Sequence, residues 1–136
     1  MLSSLGFYSL VFGLVTSFVI IFKATKSIKN NENNFIININ YLLFFQLFFV
    51  ILSFIFLLCS FILSDFSNIT VYNYSHTTKP LFYKISGLWG NHEGSLLLWL
   101  LVLTSIIFIF ISDIKNFEAK YKLYTIFFHE IIVIGF

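Results

Sequence analysis

Residues 2–22 contain no charged side chain, a run that forces the chain into lipid. As a helix it reaches roughly 31 Å at about 1.5 Å per residue, enough to cross a hydrocarbon core of roughly 30 Å. It lacks the basic lead and the shorter apolar core of a secretory signal, so it reads as a membrane span. A second uncharged run covers residues 41–63, with Gln46 its most polar member. A third covers 95–112, interrupted only by Ser and Thr, whose hydroxyls can bond back to the helix. A fourth, 123–136, reaches only about 21 Å and carries His129 and Glu130 at what would be membrane depth. It reads as a partial span, or as a segment that packs against another protein, and the chain looks unfinished there.

Composition agrees. The 136 residues are 59% hydrophobic and 10% charged, against about 25% charged in soluble domains. A chain this short cannot hide that much apolar surface in a core of its own. The expected fold is all-α and integral to the membrane, with a single domain over 1–136. It comprises three spans and a partial fourth, plus an amphipathic helix on the outer face before the third. A net charge of +2 and the absence of arginine argue against nucleic acid. The one cysteine, Cys59, rules out an internal disulfide or a CxxC pair, and no CxxCH occurs. With 20 Phe and 1 Pro, the composition reads as translation of an AT-rich organellar genome, placing the chain in the mitochondrial inner membrane.

Lysines orient the spans. Lys23, Lys26, Lys29, Lys115, Lys120 and Lys122 fall in the two connectors at one end, and only Lys79 and Lys84 in the loop 64–94. The positive-inside tendency then puts the N-terminus and residues 64–94 on the outer, intermembrane-space side. Lys23 to Asn34 reads as a solvated connector.

The second half of the outer loop carries the chemistry. After Pro80, suited to a first helical turn, Leu81, Ile85, Leu88 and His92 recur on one face and Lys84, Gly87 and Asn91 on another. That pattern suits a helix lying on the membrane surface. If the helix runs on through Trp89-Gly90-Asn91-His92-Glu93-Gly94-Ser95-Leu96-Leu97-Leu98-Trp99, then Trp89, His92, Leu96 and Trp99 share an arc of roughly 80°. Gly87, Gly90 and Gly94 lie nearly opposite, bare enough for a helix or a flat ligand to approach closely. Each residue has a plainer role open to it. Trp89 and Trp99 could be interfacial anchors, the glycines helix packing, His92 a headgroup-level polar residue, and Glu93 a partner of a helix N-terminus. Together, an imidazole and a carboxylate at the mouth of a span, flanked by indoles, make a candidate outer site. Haem fits it, since His can supply an axial ligand and indoles can pack on a porphyrin. A metal centre is not expected: His92 and Glu93 diverge by about 100° on a helix, and the second His of HExxH is missing.

Asp65-Phe66-Ser67, Val71-Tyr72-Asn73-Tyr74-Ser75, Pro80-Leu81-Phe82-Tyr83-Lys84 and the run from Trp89 to Trp99 together resemble the N-terminal region of CcmF. CcmF belongs to the cytochrome c-type biogenesis, or haem lyase, proteins of bacteria and mitochondria. The resemblance is close over about residues 60–100. It implies a membrane subunit of the haem lyase that delivers haem and attaches it to the Cys-x-x-Cys-His of apocytochrome c. The family's tryptophan-rich W-G-G-x-W-x-W-D-P run is absent here, so the resemblance implies a CcmF-N-like piece, non-catalytic alone. Haem would be bound mainly by partner chains: CcmF fragments carrying that run, with a haem chaperone and apocytochrome c as further partners. The competing expectation is a small structural subunit of a mitochondrial respiratory complex, which composition fits equally and the segment 65–99 does not.

Overall fold

A computed structural model describes residues 2–30, 35–113 and 118–136. Six helices follow one another: α1 (Leu2–Asn30), α2 (Phe35–Leu63), α3 (Ile69–Tyr74), α4 (Leu81–Trp89), α5 (His92–Asp113) and α6 (Ala119–Gly135), with no strand among the described residues. Three are long and apolar enough to cross a membrane, over Leu2–Lys29, Asn38–Ile62 and His92–Ser112. α6 packs on α1 and α5 with Leu123, Ile126, Glu130 and Val133 inward.

Small residues set the α1–α2 spacing. The buried face of α1 runs Gly6, Ser9, Gly13, Ser17, Ile20, Ala24 and Ser27, steps of three and four that keep one stripe inward. A Cβ at Gly6 would stand 3.3 Å from Phe56 Cβ, and one at Gly13 3.5 Å from Val50 Cγ2. Lipid gives apolar helices no hydrophobic reason to associate, so close backbone approach and hydrogen bonds across helices carry the contact. One such bond runs from Ser53 Oγ to the Gly6 carbonyl at 3.0 Å. Ser53→Ala should therefore cost about 0.6 kcal/mol, read as a lower unfolding midpoint in detergent. The opposite face of α1, with Phe7, Phe12, Phe18 and Phe22 exposed, is left for lipid.

The same stripe explains why Lys23–Asn30 is helical where a solvated connector was expected. Lys and Ala are good helix formers, no Gly or Pro intervenes, and Ala24 and Ser27 stay buried. Residues 31–34 and 114–117 of the connectors in the lysine count, Lys115 among them, lie outside the described residues.

Two apolar clusters result. Ile20, Ile39, Leu43, Ile107, Ile111, Leu123 and Ile126 hold the lysine-rich end of the bundle, and Phe61, Val71 and Leu88 pin the 64–91 segment to the other. Between them lies a buried polar layer of Ser17, Gln46 and Glu130.

Candidate functional site

The loop after α2 is built by local polar bonds. α2 closes with Ser64 in the left-handed region (φ 53°) and the Asp65 N–H donating to the Ser60 carbonyl at 2.9 Å. Lys84 Nζ returns to Ser64 Oγ at 2.6 Å, tying α4 to that turn. The Asp65 carboxylate accepts from Ser67 Oγ (2.6 Å) and Ser67 N–H (3.2 Å), and the Ser67 hydroxyl, then its N–H, hold this carboxyl below its ordinary value. A lowered folded value means the bond's contribution is present above the unfolded value and fades as pH falls through the folded one. The group is fully exposed, so the effect is confined to this turn. Asn68 caps α3 by accepting from the Thr70 N–H at 3.0 Å.

α4 starts after Pro80, whose carbonyl accepts from Tyr83 and Lys84 N–H groups. It presents Leu81, Phe82 and Tyr83 outward and buries Leu88 on Phe61. It does not run into α5. The helix stops at Trp89 and a new one starts at His92. Asn91 makes the corner. Its Nδ2 donates to the carbonyls of Gly87 (2.7 Å) and Leu88 (3.0 Å), two groups at the end of α4 that have no helical partner. Its Oδ1 accepts from the Gly94 N–H at 2.7 Å, capping α5. One buried side chain thus closes both helix ends.

The glycines serve this corner. Gly87 faces the Phe61 ring, where a Cβ would stand at 3.5 Å. Gly90 is the C-cap of α4. Gly94 lies directly against α4: a Cβ there would fall on the Leu88 carbonyl oxygen and 2.8 Å from its carbon.

Because the helix breaks, Trp89 belongs to α4, while His92, Leu96 and Trp99 share one face of α5, spanning about 10 Å along its axis. His92 is exposed and its ring has no hydrogen-bond partner among the described residues. Trp89 and Trp99 are 47% and 60% exposed, so both indoles are available to a ligand, a lipid or a partner. Glu93 turns to a different side. With Leu96, Leu97 and Leu100 it lines a cavity of about 410 Å³ against α1 and α2, joined by Asn68 and Thr70 from the loop. The four site candidates therefore divide between an aromatic–imidazole face and an exposed carboxylate at the rim of this cavity. No group of three or more metal-ligating side chains occurs among the described residues.

Asn91 escaped the sequence reading, although a Gly-Asn pair between two periodic runs is a stop-and-start signal for helices. So did the pairing of Gln46 with Glu130, 84 residues apart, for which no local signal exists.

No protein-family profile and no solved structure matches the chain. Curated relatives do. The cytochrome c-type biogenesis protein CcmF of Haemophilus influenzae is 37% identical over 106 residues, 76% of this chain and 16% of the relative. The cytochrome c-type biogenesis protein ccl1 of Rhodobacter capsulatus is 61% identical over 44 residues, 32% of this chain and 7% of the relative. CycK of Bradyrhizobium diazoefficiens, named likewise, is 57% identical over 58 residues, 43% and 9%. The match thus spans less than a fifth of each relative's length.

Proposed function

We infer from this chain's membership, over the part that aligns, of the CcmF family of cytochrome c-type biogenesis proteins that it serves cytochrome c maturation as a membrane subunit of a haem lyase. The observation that carries the reading is the 61% identity over 44 residues with a protein named for that process. Haem is cargo in this scheme. His92 can offer an imidazole nitrogen to its iron, and Trp99 on the same face can pack on the porphyrin. His92 is exposed and Trp99 mostly so, which suits them to an exchangeable ligand. The surface is open, so partner chains supply the remaining walls, including the tryptophan-rich run.

The working side is the outer one. Lys23, Lys26, Lys29, Lys120 and Lys122 gather at one end of the antiparallel bundle and Lys79 and Lys84 at the other, a bias that supports the inside–outside assignment. The mitochondrial inner membrane is the location favoured by composition.

Purifying the chain in mild detergent with its neighbours, then identifying them and recording the haem spectrum, tests the reading. Haem-bearing partners with the tryptophan-rich run are the expected outcome; respiratory-complex subunits without it would sink the proposal. His92→Ala should abolish or sharply lower holocytochrome c yield. Stability should stay within about 0.5 kcal/mol of the parent, because the ring is exposed and unbonded. Unchanged yield and unchanged haem content would remove His92 from the site.

A further inference from the structure

The carboxyl inside the bundle is held by hydrogen bonds whose donors and acceptors require a proton. Glu130 is completely buried on α6. Its Oε2 accepts from Gln46 Nε2 of α2 at 2.8 Å, and the same nitrogen donates to Ser17 Oγ of α1 at 2.7 Å, which uses both amide hydrogens. The Ser17 hydroxyl in turn donates to the Gly13 carbonyl at 3.3 Å. On the other side, His129 Nε2 lies 3.0 Å from the Leu103 carbonyl of α5. A carbonyl only accepts, so Nε2 carries hydrogen. His129 Nδ1 lies 3.3 Å from Glu130 Oε1. With Nε2 protonated, a neutral imidazole leaves Nδ1 as an acceptor, and a bare carboxylate offers only acceptors. One hydrogen must therefore lie between them, as acid O–H to Nδ1 or as imidazolium N–H to carboxylate. Both forms have net charge zero, and moving the proton from Oε1 to Nδ1 changes nothing else. In lipid, removing it would leave a buried negative charge with two acceptors facing each other, a costly state. Gln46 meets the carboxyl from α2, with Ser17 of α1 behind it, and Leu103 offers only its carbonyl. The His129–Glu130 contact is the one ion pair among the described residues, so no lysine neutralises it.

A second observation points to water beside Gln46. Gln46 Oε1 is buried with no hydrogen-bond partner among the described residues, and Gln46 and Ser17 line a cavity of about 170 Å³. That cavity shares the walls Leu10, Leu100 and Phe136 with the 410 Å³ cavity that Glu93 lines. We propose that Glu130 and His129 form an intramembrane proton-binding site, clamped by Gln46 with Ser17 behind it, which exchanges on its Gln46 side with water entering from the Glu93 end through these two cavities. The ligand is a single proton, and Gln46 stands between the pair and the smaller cavity. The site is independent of the haem reading.

The test uses the full chain in lipid vesicles, labelled with ¹⁵N at its three histidines. We expect a far-downfield proton resonance correlated with His129 Nδ1, lost in Glu130→Gln. If that variant does not fold, His129→Asn must remove the same resonance. After transfer to heavy water the resonance should exchange at least tenfold more slowly in Leu100→Trp, which fills the shared wall. Absence of the resonance in the parent, or its survival in Glu130→Gln, overturns the proton site. Equal exchange rates in Leu100→Trp overturn the route.

Discussion

A Gly94→Ala variant is expected to lose about 2 kcal/mol of stability, although alanine is the better helix former. No glycine among the described residues has a positive φ, so Gly94 is not kept for conformational freedom. Propensity alone would favour alanine by roughly 1 kcal/mol. Against that, the added methyl falls on the backbone carbonyl of Leu88, and Asn91 Oδ1 also stands only 3.1 Å from it. No flexible side chain can yield, so the strain should reach the upper end of overpacking costs, about 3 kcal/mol. Overpacking wins by the difference. The other glycines give a graded control. Gly90→Ala meets only the Ser86 carbonyl at 3.2 Å, and Gly87→Ala meets the Phe61 ring at an ordinary 3.5 Å and should be neutral or stabilising. Trp89 ends α4 at the corner and Trp99 lies about two turns along α5, so tryptophan fluorescence during denaturant unfolding in micelles follows the loss of this packing. Equal midpoints for Gly94→Ala and Gly87→Ala would show that α4 and α5 do not press together at this point.

The spans were legible because nothing about them depends on tertiary structure. An uncharged run of helical length in a chain of this composition has one physical solution, and lysine placement follows from the cost of burying charge. Even the missed stripe of Gly6, Ser9, Gly13, Ser17, Ala24 and Ser27 was in the sequence, as small residues at steps of three, four and seven. The corner was hidden for a specific reason. Gly90 and Gly94 continue a helical period through Asn91, so phase alone placed Trp89 with His92. The break is decided by a short polar side chain that competes with the helix for the Gly87 and Leu88 carbonyls. Its effect on the site is to separate one indole from the imidazole. The Gln46–Glu130 bond was illegible for the opposite reason: it exists only once α2 and α6 are packed together.

Asn91 supports the second large prediction, in which the usual ranking of helix caps is reversed. At an ordinary N-cap, Asn and Asp are about equal and alanine costs about 1 kcal/mol. Here the side chain also donates to two carbonyls at the end of α4, and it is 5% exposed. Asn91→Ala gives up the cap and leaves those carbonyls unsatisfied, for a loss of roughly 2–3 kcal/mol. Asn91→Asp keeps an acceptor for the Gly94 N–H but turns its second oxygen toward the Gly87 and Leu88 carbonyls. Its charged form meets two acceptors where the amide met them with hydrogens, so at neutral pH it should be no more stable than Asn91→Ala. The pH dependence then has a definite sign. Repulsion of the charged form raises the folded-state value of the introduced carboxyl above its unfolded value. Stability is therefore recovered below the unfolded value, where the acid O–H can donate to Leu88, and lost again as pH rises through the folded one. A cap that acted only on α5 would behave in the reverse way, with Asn91→Asp near the parent at neutral pH and weaker in acid. Unfolding midpoints of the two variants across that range distinguish a one-sided cap from one that joins two helices.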